Sequence, residues 1–251
     1  MIYKDEAPYL AEWIEFHRLV GVERFFLYDN GSRDDHLEVL GPYLEEGTVV
    51  LHDQSVFFRQ AGAYAHCLTE HGSHARWIAF IDTDEFLFAP TGRPLPEVLA
   101  AFEQFPGVGV YRVTFGTSGH RTRPDGLVTE TYVLKFRVES SVKSIVDPSR
   151  VERQRNAHSF LYHGGALAVD ENREPIEGWF LEEPTSELLR INHYVTKSEA
   201  EFAQKLTKGR VDNDQPWEPR DDIPKQIGEI KDETIGVYLP SLREALARRG
   251  R

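Results

Sequence analysis

The chain has 251 residues, 40% of them hydrophobic and 12% aromatic, and its formal net charge is −12 at pH 7. This length and apolar content allow a substantial buried core, which excludes a disordered chain and predicts one domain over residues 1–251. The acidic balance, without any block of basic residues, argues against a nucleic-acid-binding surface, so nucleic acid is not an expected partner.

Cysteine content and hydropathy bear on the compartment. The single cysteine, Cys67, excludes an intrachain disulfide and predicts a reducing environment, and its expected position is a buried place on a helix. No apolar leader segment opens the sequence, and no apolar run approaches the roughly 18 residues of a membrane span. We therefore expect a cytoplasmic protein. The sequence leaves open the oligomeric state and association with a membrane surface.

Strands and helices are predicted to alternate over residues 1–90. Helical spacing of apolar residues follows Pro8, a favoured first-turn residue, and ends at Gly21. The other predicted elements of this half are the helices Asp35 to Leu44 and Ala61 to His71 and the strands Arg24 to Tyr28, Thr48 to Leu51 and Trp77 to Ile81. Such alternation indicates a mostly parallel sheet with helices on both faces.

The pattern changes after Pro90. Apolar residues alternate from Val108 to Phe115 and from Leu127 to Val138, on either side of a Gly-rich loop, which predicts an antiparallel elaboration. Residues 143–184 show no clear period. The remaining predicted elements are the helix Leu95 to Phe102, a late strand Leu188 to Tyr194, a helix Ser198 to Leu206 capped by Ser198 and Glu201, and a last helix Val237 to Leu246.

Two carboxylates, Asp82 and Asp84, follow the apolar strand that begins at Trp77. Neighbouring carboxylates repel each other unless a cation or a proton lies between them, so a divalent metal with oxygen ligands is one explanation. A solvated acidic turn at the end of a strand is the other. The carboxyl ends of strands in open α/β sheets are where ligands bind, which favours the metal.

Four motifs follow one another along the chain. They are Lys4-Asp5-Glu6-Ala7-Pro8-Tyr9-Leu10 with Glu12-Trp13, Tyr28-Asp29-Asn30-Gly31-Ser32, Asp82-Thr83-Asp84-Glu85-Phe86, and Asn192-His193-Tyr194 with Lys197-Ser198. Together they resemble the family 2-like and family 92-like glycosyltransferases of the GT-A fold. Two features depart from that pattern: Ala65 stands where Asn is frequent, and only Met1 to Tyr3 precede the first motif.

The resemblance implies an α/β domain with a Rossmann-like, mixed and mostly parallel sheet flanked by helices. Residues 1–90 would form its nucleotide-binding half. Residues 91–251 would form the acceptor-side half, with the antiparallel elaboration and C-terminal helices. The implied activity is a metal-dependent, inverting hexosyl transfer from a nucleotide sugar, expected to be a UDP-sugar, to a glycan, polysaccharide or other hydroxyl acceptor.

The resemblance also implies roles for individual residues. Asp84 would bind Mn²⁺ or Mg²⁺ directly, Asp82 would contact the ribose or the metal through water, and His193 would complete the metal shell, unless it is a core histidine bonded to backbone. Asp29 would accept a hydrogen bond from uracil. The other implied donor contacts are Glu6 and Lys4 near the nucleoside and Lys197 and Arg210 near the diphosphate.

Acceptor-side residues are predicted less closely. Inversion requires a carboxylate that takes the proton of the acceptor hydroxyl, and no flanking pattern selects one among Asp125, Glu130, Asp147, Glu152 and Asp170. The loop from Gly116 to His120 is expected on the acceptor side, because glycine permits close approach of backbone to a sugar. The other candidates for donor or acceptor contacts, which local packing would explain equally well, are His158, His163, Tyr162 and Trp179-Phe180.

Two other classes share parts of this pattern. Phosphatases of the haloacid dehalogenase type also carry Asp-x-Asp after an apolar strand, but near their first strand and followed by Thr or Val where this chain has Phe86. A nucleotide-sugar-binding or glycan-binding module without turnover would keep the fold and the motifs. Intact Asp82, Asp84 and His193 argue against that reading, whereas Ala65 and the short first strand favour it.

Overall fold

The computed structural model describes residues 1–53, 59–137, 141–208 and 227–250. Arg210, predicted to lie near the diphosphate, falls outside these residues, as does the end of the strand predicted to finish at Val138. Within the described ranges, every helix is too short or too polar to cross a bilayer.

A parallel sheet forms from the first three apolar stretches. Its strands β1 (Ile2–Tyr3), β2 (Phe25–Asp29) and β3 (Val49–Asp53) lie in the order β1-β2-β3. The helices of this half are α1 (Ala7–Leu19), α2 (His36–Glu45) and α3 (Gln60–His71). The alternation predicted for this half is therefore confirmed, and Cys67 is a free, buried residue of α3 as expected.

The second half adds short helices and a mixed sheet. Its strands are β4 (Ile78–Ala79), β5 (Glu85–Phe88), β6 (Gly107–Thr114), β7 (Leu134–Lys135), β8 (Val142–Val146), β9 (Val151–Gln154), β10 (Phe160–Tyr162), β11 (Ala168–Val169), β12 (Pro175–Ile176), β13 (Arg190–His193) and β14 (Ile230–Lys231). Its helices are α4 (Leu95–Leu99), α5 (Val128–Thr131), α6 (Glu199–Lys208) and α7 (Leu239–Arg248).

The large sheet runs in the order β12-β11-β6-β13-β5, and β8 pairs with both β6 and β4. Only β11 and β13 are parallel to β6; the β8, β5 and β12 pairings are antiparallel. The predicted mixed α/β fold is thus confirmed, with antiparallel pairing after Pro90. In this order the C-terminal ends of β4, β6 and β13 point to the same edge of the sheet. Asp82 and Asp84 follow β4 at that edge.

One predicted strand is wrong. Residues from Leu127 onward form the helical turn α5 before the short strand β7. The buried carboxylate of Glu12 accepts hydrogen bonds from Val128 N–H, Thr129 N–H and Thr129 Oγ1–H at 2.8 to 2.9 Å. These bonds satisfy the free N–H groups at a helix start, so a contact over 116 residues overrides the local alternation.

The predicted capping box of α6 is confirmed. Ser198 N–H donates to Glu201 Oε2 at 3.0 Å, and Glu201 N–H donates to Ser198 Oγ at 3.3 Å. Each side chain therefore satisfies a backbone donor of the other residue. The cap fixes where α6 begins, and it places Lys205 on the next turn of the helix.

His17 lies buried in the core between α1 and β5. Its Nε2 accepts the N–H of Leu87 at 3.1 Å, so Nδ1 carries the proton and donates to the carbonyl of Trp13 at 2.8 Å. The ring also contacts those of Trp13, Phe16 and Phe86. Burial lowers the pKa of His17 from 6.5 to about 4, which keeps the ring neutral.

Replacing His17 with Gln should reduce the loss in the free energy of unfolding between pH 7 and pH 5. Because the pKa of His17 is lower in the folded than in the unfolded chain, the free energy of unfolding falls as pH drops from about 6.5 towards 4, by up to about 1.4 kcal/mol per pH unit. Urea unfolding at pH 7 and pH 5 measures this loss. The His17→Gln variant should be less stable at pH 7 yet lose less on acidification.

The exposed histidine His74 provides the matched control for that experiment. A His74→Gln variant should keep the wild-type difference between the two pH values. If His17→Gln also keeps it, the buried ring of His17 is not a source of the acid sensitivity.

Candidate functional site

The acidic turn, Asp82–Glu85, joins β4 to β5. Its backbone is closed by the N–H of Glu85, which donates to the carbonyl of Asp82 at 3.1 Å, and the Glu85 carboxylate accepts Asp82 N–H at 3.0 Å. The indole of Trp13 donates to the carbonyls of Glu85 and Asp82 at 2.8 and 3.1 Å. From the other side, Tyr194 N–H donates to the carbonyl of Asp84 at 2.8 Å. The turn is therefore anchored by α1 and by the residue after β13.

Lys143 on β8 supplies positive charge to one side of the acidic turn. Its Nζ lies 2.7 Å from Asp82 Oδ2 and 3.5 Å from Glu85 Oε2, and its side chain is 1% exposed. Burial alone would lower the pKa of Lys143, but the two carboxylates outweigh burial and raise it, so the ammonium stays charged. Arg112 Nη1 lies 3.0 Å from Glu85 Oε1 and completes the pairing of this fully buried carboxylate.

Asp84 is paired with a lysine of α6. The Nζ of Lys205 lies 2.6 Å from Asp84 Oδ2, and His193 Nε2 lies 3.8 Å from the same oxygen. Burial alone would raise the pKa of Asp84, but the ammonium groups of Lys205 and Lys197 outweigh burial and hold it well below its usual range. Asp84 is therefore an ionised carboxylate.

His193 ends β13 opposite Glu85 on β5 and Thr114 on β6. Its Nδ1 lies 3.2 Å from Thr114 Oγ1, while Nε2 faces Asp84. Burial and the positive charge of Arg112 lower the pKa of His193 well below 6.5, so its imidazole is neutral. The sheet therefore brings His193 beside Asp84 of the acidic turn, although more than a hundred residues separate the two in sequence.

The donor chemistry at this point fits a hard divalent cation, because it combines two carboxylates with a neutral imidazole. A finished coordination shell is not in place: across the described ranges, no three His, Cys, Asp or Glu side chains are grouped closely enough to hold a metal ion. The ammonium groups of Lys143 and Lys205 lie beside the carboxylates instead. A metal bound here would have to displace them.

Asp29 ends β2 next to the end of β1, where Tyr3 is its register partner. One oxygen of its buried carboxylate accepts Ser32 N–H at 2.9 Å, and the other lies 3.9 Å from His36 Nε2. The loops after β1 and β2 are tied together, since Asp5 N–H donates to Ser32 Oγ at 2.9 Å. These bonds form a shaped wall at the carboxyl ends of the parallel strands.

Glu6 and Lys197 connect this wall to the acidic turn. Lys197 Nζ lies 3.6 Å from Glu6 Oε2 and 3.8 Å from the centre of the Tyr9 ring. Both Lys197 and Asp5 have positive φ, 49° and 52°, a backbone region that non-glycine residues seldom occupy. Lys4 is half-buried just after β1. The predicted donor-side residues in the described part of the chain thus lie along one edge of the two sheets.

The predicted base candidates lie elsewhere. Asp147 follows the end of β8 that pairs with the start of β4, away from the acidic turn, and there it pairs with Arg76 at 2.8 Å. Asp170 accepts the N–H groups of two residues of its own loop. The other three contact surface partners or solvent: Glu130 pairs with Arg243, Glu152 lies beside Arg153, and Asp125 is exposed.

Three cationic residues of the site escaped sequence reasoning: Arg112, Lys143 and Lys205. Lys143 carried a readable signal, because it interrupts the apolar strand from Val142 to Val146 and a buried lysine requires a charged partner. Lys205 carried none, since a lysine on an amphipathic helix is normally a surface residue. Its role follows only from the folded position of α6 against Asp84.

Comparisons with known proteins identify relatives of this chain. The family model for glycosyltransferase family 92 matches residues 1–230. A glycosyltransferase family 92 protein of Oryza sativa subsp. japonica is 34% identical over 149 residues, which are 58% of this chain and 26% of that protein. A galactan beta-1,4-galactosyltransferase of Arabidopsis thaliana is 34% identical over 115 residues, which are 41% of this chain and 23% of that protein.

A beta-1,4-galactosyltransferase of Caenorhabditis elegans is 25% identical over 218 residues, which are 82% of this chain and 48% of that protein. The chain thus spans about a quarter to a half of the length of these relatives. Among solved structures, S. aureus TarS 1-349 aligns with 82% of this chain and 61% of its own at 10% identity, with a TM-score of 0.44 that is too low to carry an inference.

Replacing Lys143 with Met should lower the free energy of unfolding by about 3 kcal/mol, because it leaves the buried Glu85 carboxylate short of a cation. The double variant Lys143→Met/Glu85→Gln should recover part of that loss. Urea unfolding at pH 7 measures both. The control is Arg153→Met, which breaks an exposed pair with Glu152 and should cost less than about 1 kcal/mol. If Lys143→Met and Arg153→Met lowered the free energy of unfolding equally, that result would contradict a buried ionic network at the acidic turn.

Proposed function

This chain belongs to glycosyltransferase family 92, and we propose that it transfers a sugar from a UDP-sugar donor to a glycan hydroxyl with the help of a divalent cation. The observation that supports this most directly is the acidic turn itself, where Asp84 lies beside His193 and Lys205, and Asp82 lies beside Lys143. Acidic oxygen ligands, a neutral imidazole and nearby cations suit a diphosphate that is bound through a metal.

The nucleoside of the donor would lie against the ends of β1 and β2. Asp29 would accept a hydrogen bond from the uracil ring, while Glu6 and Asp82 would lie towards the ribose. Support comes from the side-by-side ends of these two strands and from the bonds between their loops. Lys4, half-buried at the same edge, is the remaining candidate for this contact.

Mn²⁺ or Mg²⁺ would be held by Asp84 and His193, with Asp82 as a direct or water-mediated ligand. When bound, the cation stabilises the negative charge that develops on the departing diphosphate. Lys143, freed from Asp82 but still beside Glu85, and Lys205, freed from Asp84, would pair with diphosphate oxygens, and Lys197 is a third candidate for that contact. The carboxylates would then be paired with the cation and the lysines with the diphosphate. A buried charge needs such a partner in both states of the site.

Galactose is the first donor sugar to test, because two of the relatives carry galactosyltransferase in their names. We propose hexosyl transfer with inversion: the acceptor hydroxyl attacks from the face opposite the diphosphate and gives its proton to a base. A glycan acceptor is the proposed partner. A cytoplasmic location stays a prediction from composition.

A nucleotide-sugar-binding module without turnover is the second candidate. The observation that favours it is the pairing of both carboxylates of the acidic turn with lysine ammonium groups, which would leave a metal without ligands if it persisted. A haloacid dehalogenase-type phosphatase does not fit, because the chain belongs to a glycosyltransferase family and its acidic turn follows the fourth strand. Metal-dependent hydrolysis of a UDP-sugar, which only the transferase should catalyse, separates the two remaining classes.

Mn²⁺ should strengthen UDP binding, and Asp84→Asn should abolish that coupling. Calorimetric titration of UDP with and without Mn²⁺ measures it. Lys205→Met should bind Mn²⁺ alone at least as tightly as the wild type, because a competing ammonium is gone, but should bind UDP more weakly. The exposed control Asp125→Asn should behave as the wild type. Equal UDP affinity with and without Mn²⁺ in the wild type would overturn the metal-dependent proposal.

UDP should stabilise the protein more than GDP or CDP in the presence of Mn²⁺. A ligand at 100 times its dissociation constant stabilises the folded state by about 2.7 kcal/mol, which a thermal-shift screen detects. Asp29→Asn keeps an acceptor oxygen for Ser32 N–H. In this variant the thermal shift with UDP should exceed the shifts with GDP and CDP by less than it does in the wild type. A larger shift with GDP or CDP would be evidence for a different donor base.

A further inference from the structure

Trp179 lies on the same edge of β8 as the strand that leads into the acidic turn. Phe80 N–H donates to the carbonyl of Ser144, and two residues along β8 the N–H of Val142 donates to the carbonyl of Trp179, both at 3.1 Å. Two residues of a strand span about 7 Å. Trp179 therefore continues the edge that β4 begins, next to where the chain turns at Asp82.

Phe180 lies beside the cationic side of the site. It forms a β-bridge with Ser141, whose hydroxyl accepts two hydrogen bonds from the Arg112 guanidinium at 2.6 and 3.1 Å. Arg112 in turn pairs with Glu85 of the acidic turn. The Trp179-Phe180 segment and the acidic turn are thus connected through one arginine and one strand.

Both aromatic rings are exposed, although most large apolar residues near the site are buried. Trp179 is 45% exposed and Phe180 58%, and their rings are perpendicular with centroids 6.3 Å apart. Tyr162, the other aromatic candidate of this region, is instead 4% exposed and packs over Gly107. Local packing therefore explains Tyr162, but it leaves nearly half of Trp179 and more than half of Phe180 exposed.

His158 adds a polar group beside Trp179. Its Nδ1 lies 2.9 Å from the carbonyl of Val142 and donates a hydrogen bond to it. Nε2 therefore carries an unshared electron pair, which can accept a hydrogen bond from a hydroxyl group. The ring lies 5.5 Å from that of Trp179, and Ser144 Oγ donates to the His158 carbonyl at 2.7 Å. The half-buried His158 is thus a fixed hydrogen-bond acceptor next to an exposed indole face.

We propose that Trp179 and Phe180, with His158 beside them, form the subsite that holds a sugar ring of the acceptor glycan. The C–H face of a pyranose is apolar and packs flat on an indole, while its hydroxyls at the ring edge need acceptors such as His158 Nε2. This inference rests on the proposed sugar transfer, because it assigns the acceptor side of that same site. It places the acceptor along β8, beside the strand that leads into the acidic turn.

The test is binding of β-1,4-galactopentaose, with β-1,4-linked gluco- and manno-oligosaccharides as a panel, followed through the four tryptophan indole N–H signals by NMR. Trp179→Phe assigns the relevant signal. Sugar binding should shift the Trp179 signal and leave that of Trp77, at the far end of β4, unchanged. Trp179→Ala should weaken sugar binding at least about tenfold, with Trp179→Phe intermediate and UDP binding unaltered.

Two further variants make the result specific. Trp77→Ala replaces a half-buried tryptophan away from the subsite and should leave sugar affinity unchanged. His158→Gln should weaken sugar binding several-fold while the melting temperature stays within a few degrees of the wild type. A loss of sugar binding that tracks only a loss of stability would overturn the role of His158.

The outcomes separate this inference from the donor proposal. If UDP binds but no sugar of the panel moves the Trp179 signal, the acceptor subsite is wrong and the donor proposal stands. If sugar moves Trp179 while UDP does not bind, the subsite stands and the UDP proposal falls. If sedimentation shows dimers that Trp179→Ala dissociates, the aromatic pair is a protein interface and the inference is overturned.

Discussion

The buried carboxylate of Glu85 is the constraint on which the candidate site depends. Its side chain is fully buried, yet it accepts Asp82 N–H and pairs with both Arg112 and Lys143. Removing such a charge from water costs several kcal/mol, and burial raises the pKa of Glu85 even though Lys143 and Arg112 oppose that shift, so the carboxylate depends on every one of these partners. The partners come from β6, β8 and the acidic turn itself, so the shape of the turn is coupled to the packing of the central sheet.

The same coupling reaches the other side of the site. Tyr194 N–H donates to the carbonyl of Asp84, and the strand that ends at His193 is paired with both β5 and β6. A shift of that strand by one residue would turn His193 to the opposite face of the sheet. The position of the imidazole relative to Asp84 is thus set by the sheet register, and the register is in turn fixed by the apolar residues of these strands.

Local patterns predicted those parts of the structure that short-range chemistry decides. The Ser198–Glu201 cap, the strand before Asp82 and the position of Asp29 at the end of a parallel strand could all be read from neighbouring residues. The segment after Leu127 could not, because Glu12, more than a hundred residues earlier, caps its first turn. Lys205 is a similar case: nothing near it in sequence shows that α6 delivers it to Asp84.

The balance of charge around the acidic turn explains why the site can be stable without a metal and still be suited to one. Asp82, Asp84 and Glu85 are matched by Lys143, Lys205 and Arg112, so the protein supplies its own counter-charges. Glu85 and Arg112 belong to the buried scaffold. The other two pairs each join a partly exposed group, Asp82 at 34% or Lys205 at 32%, to a buried one, Lys143 at 1% or Asp84 at 9%. Charges in contact with solvent can exchange partners at small cost, while buried ones cannot. A divalent cation and a diphosphate arriving together would therefore have to supply new partners for the buried Asp84 and Lys143 in the same step, while the buried Glu85–Arg112 pair stays in place.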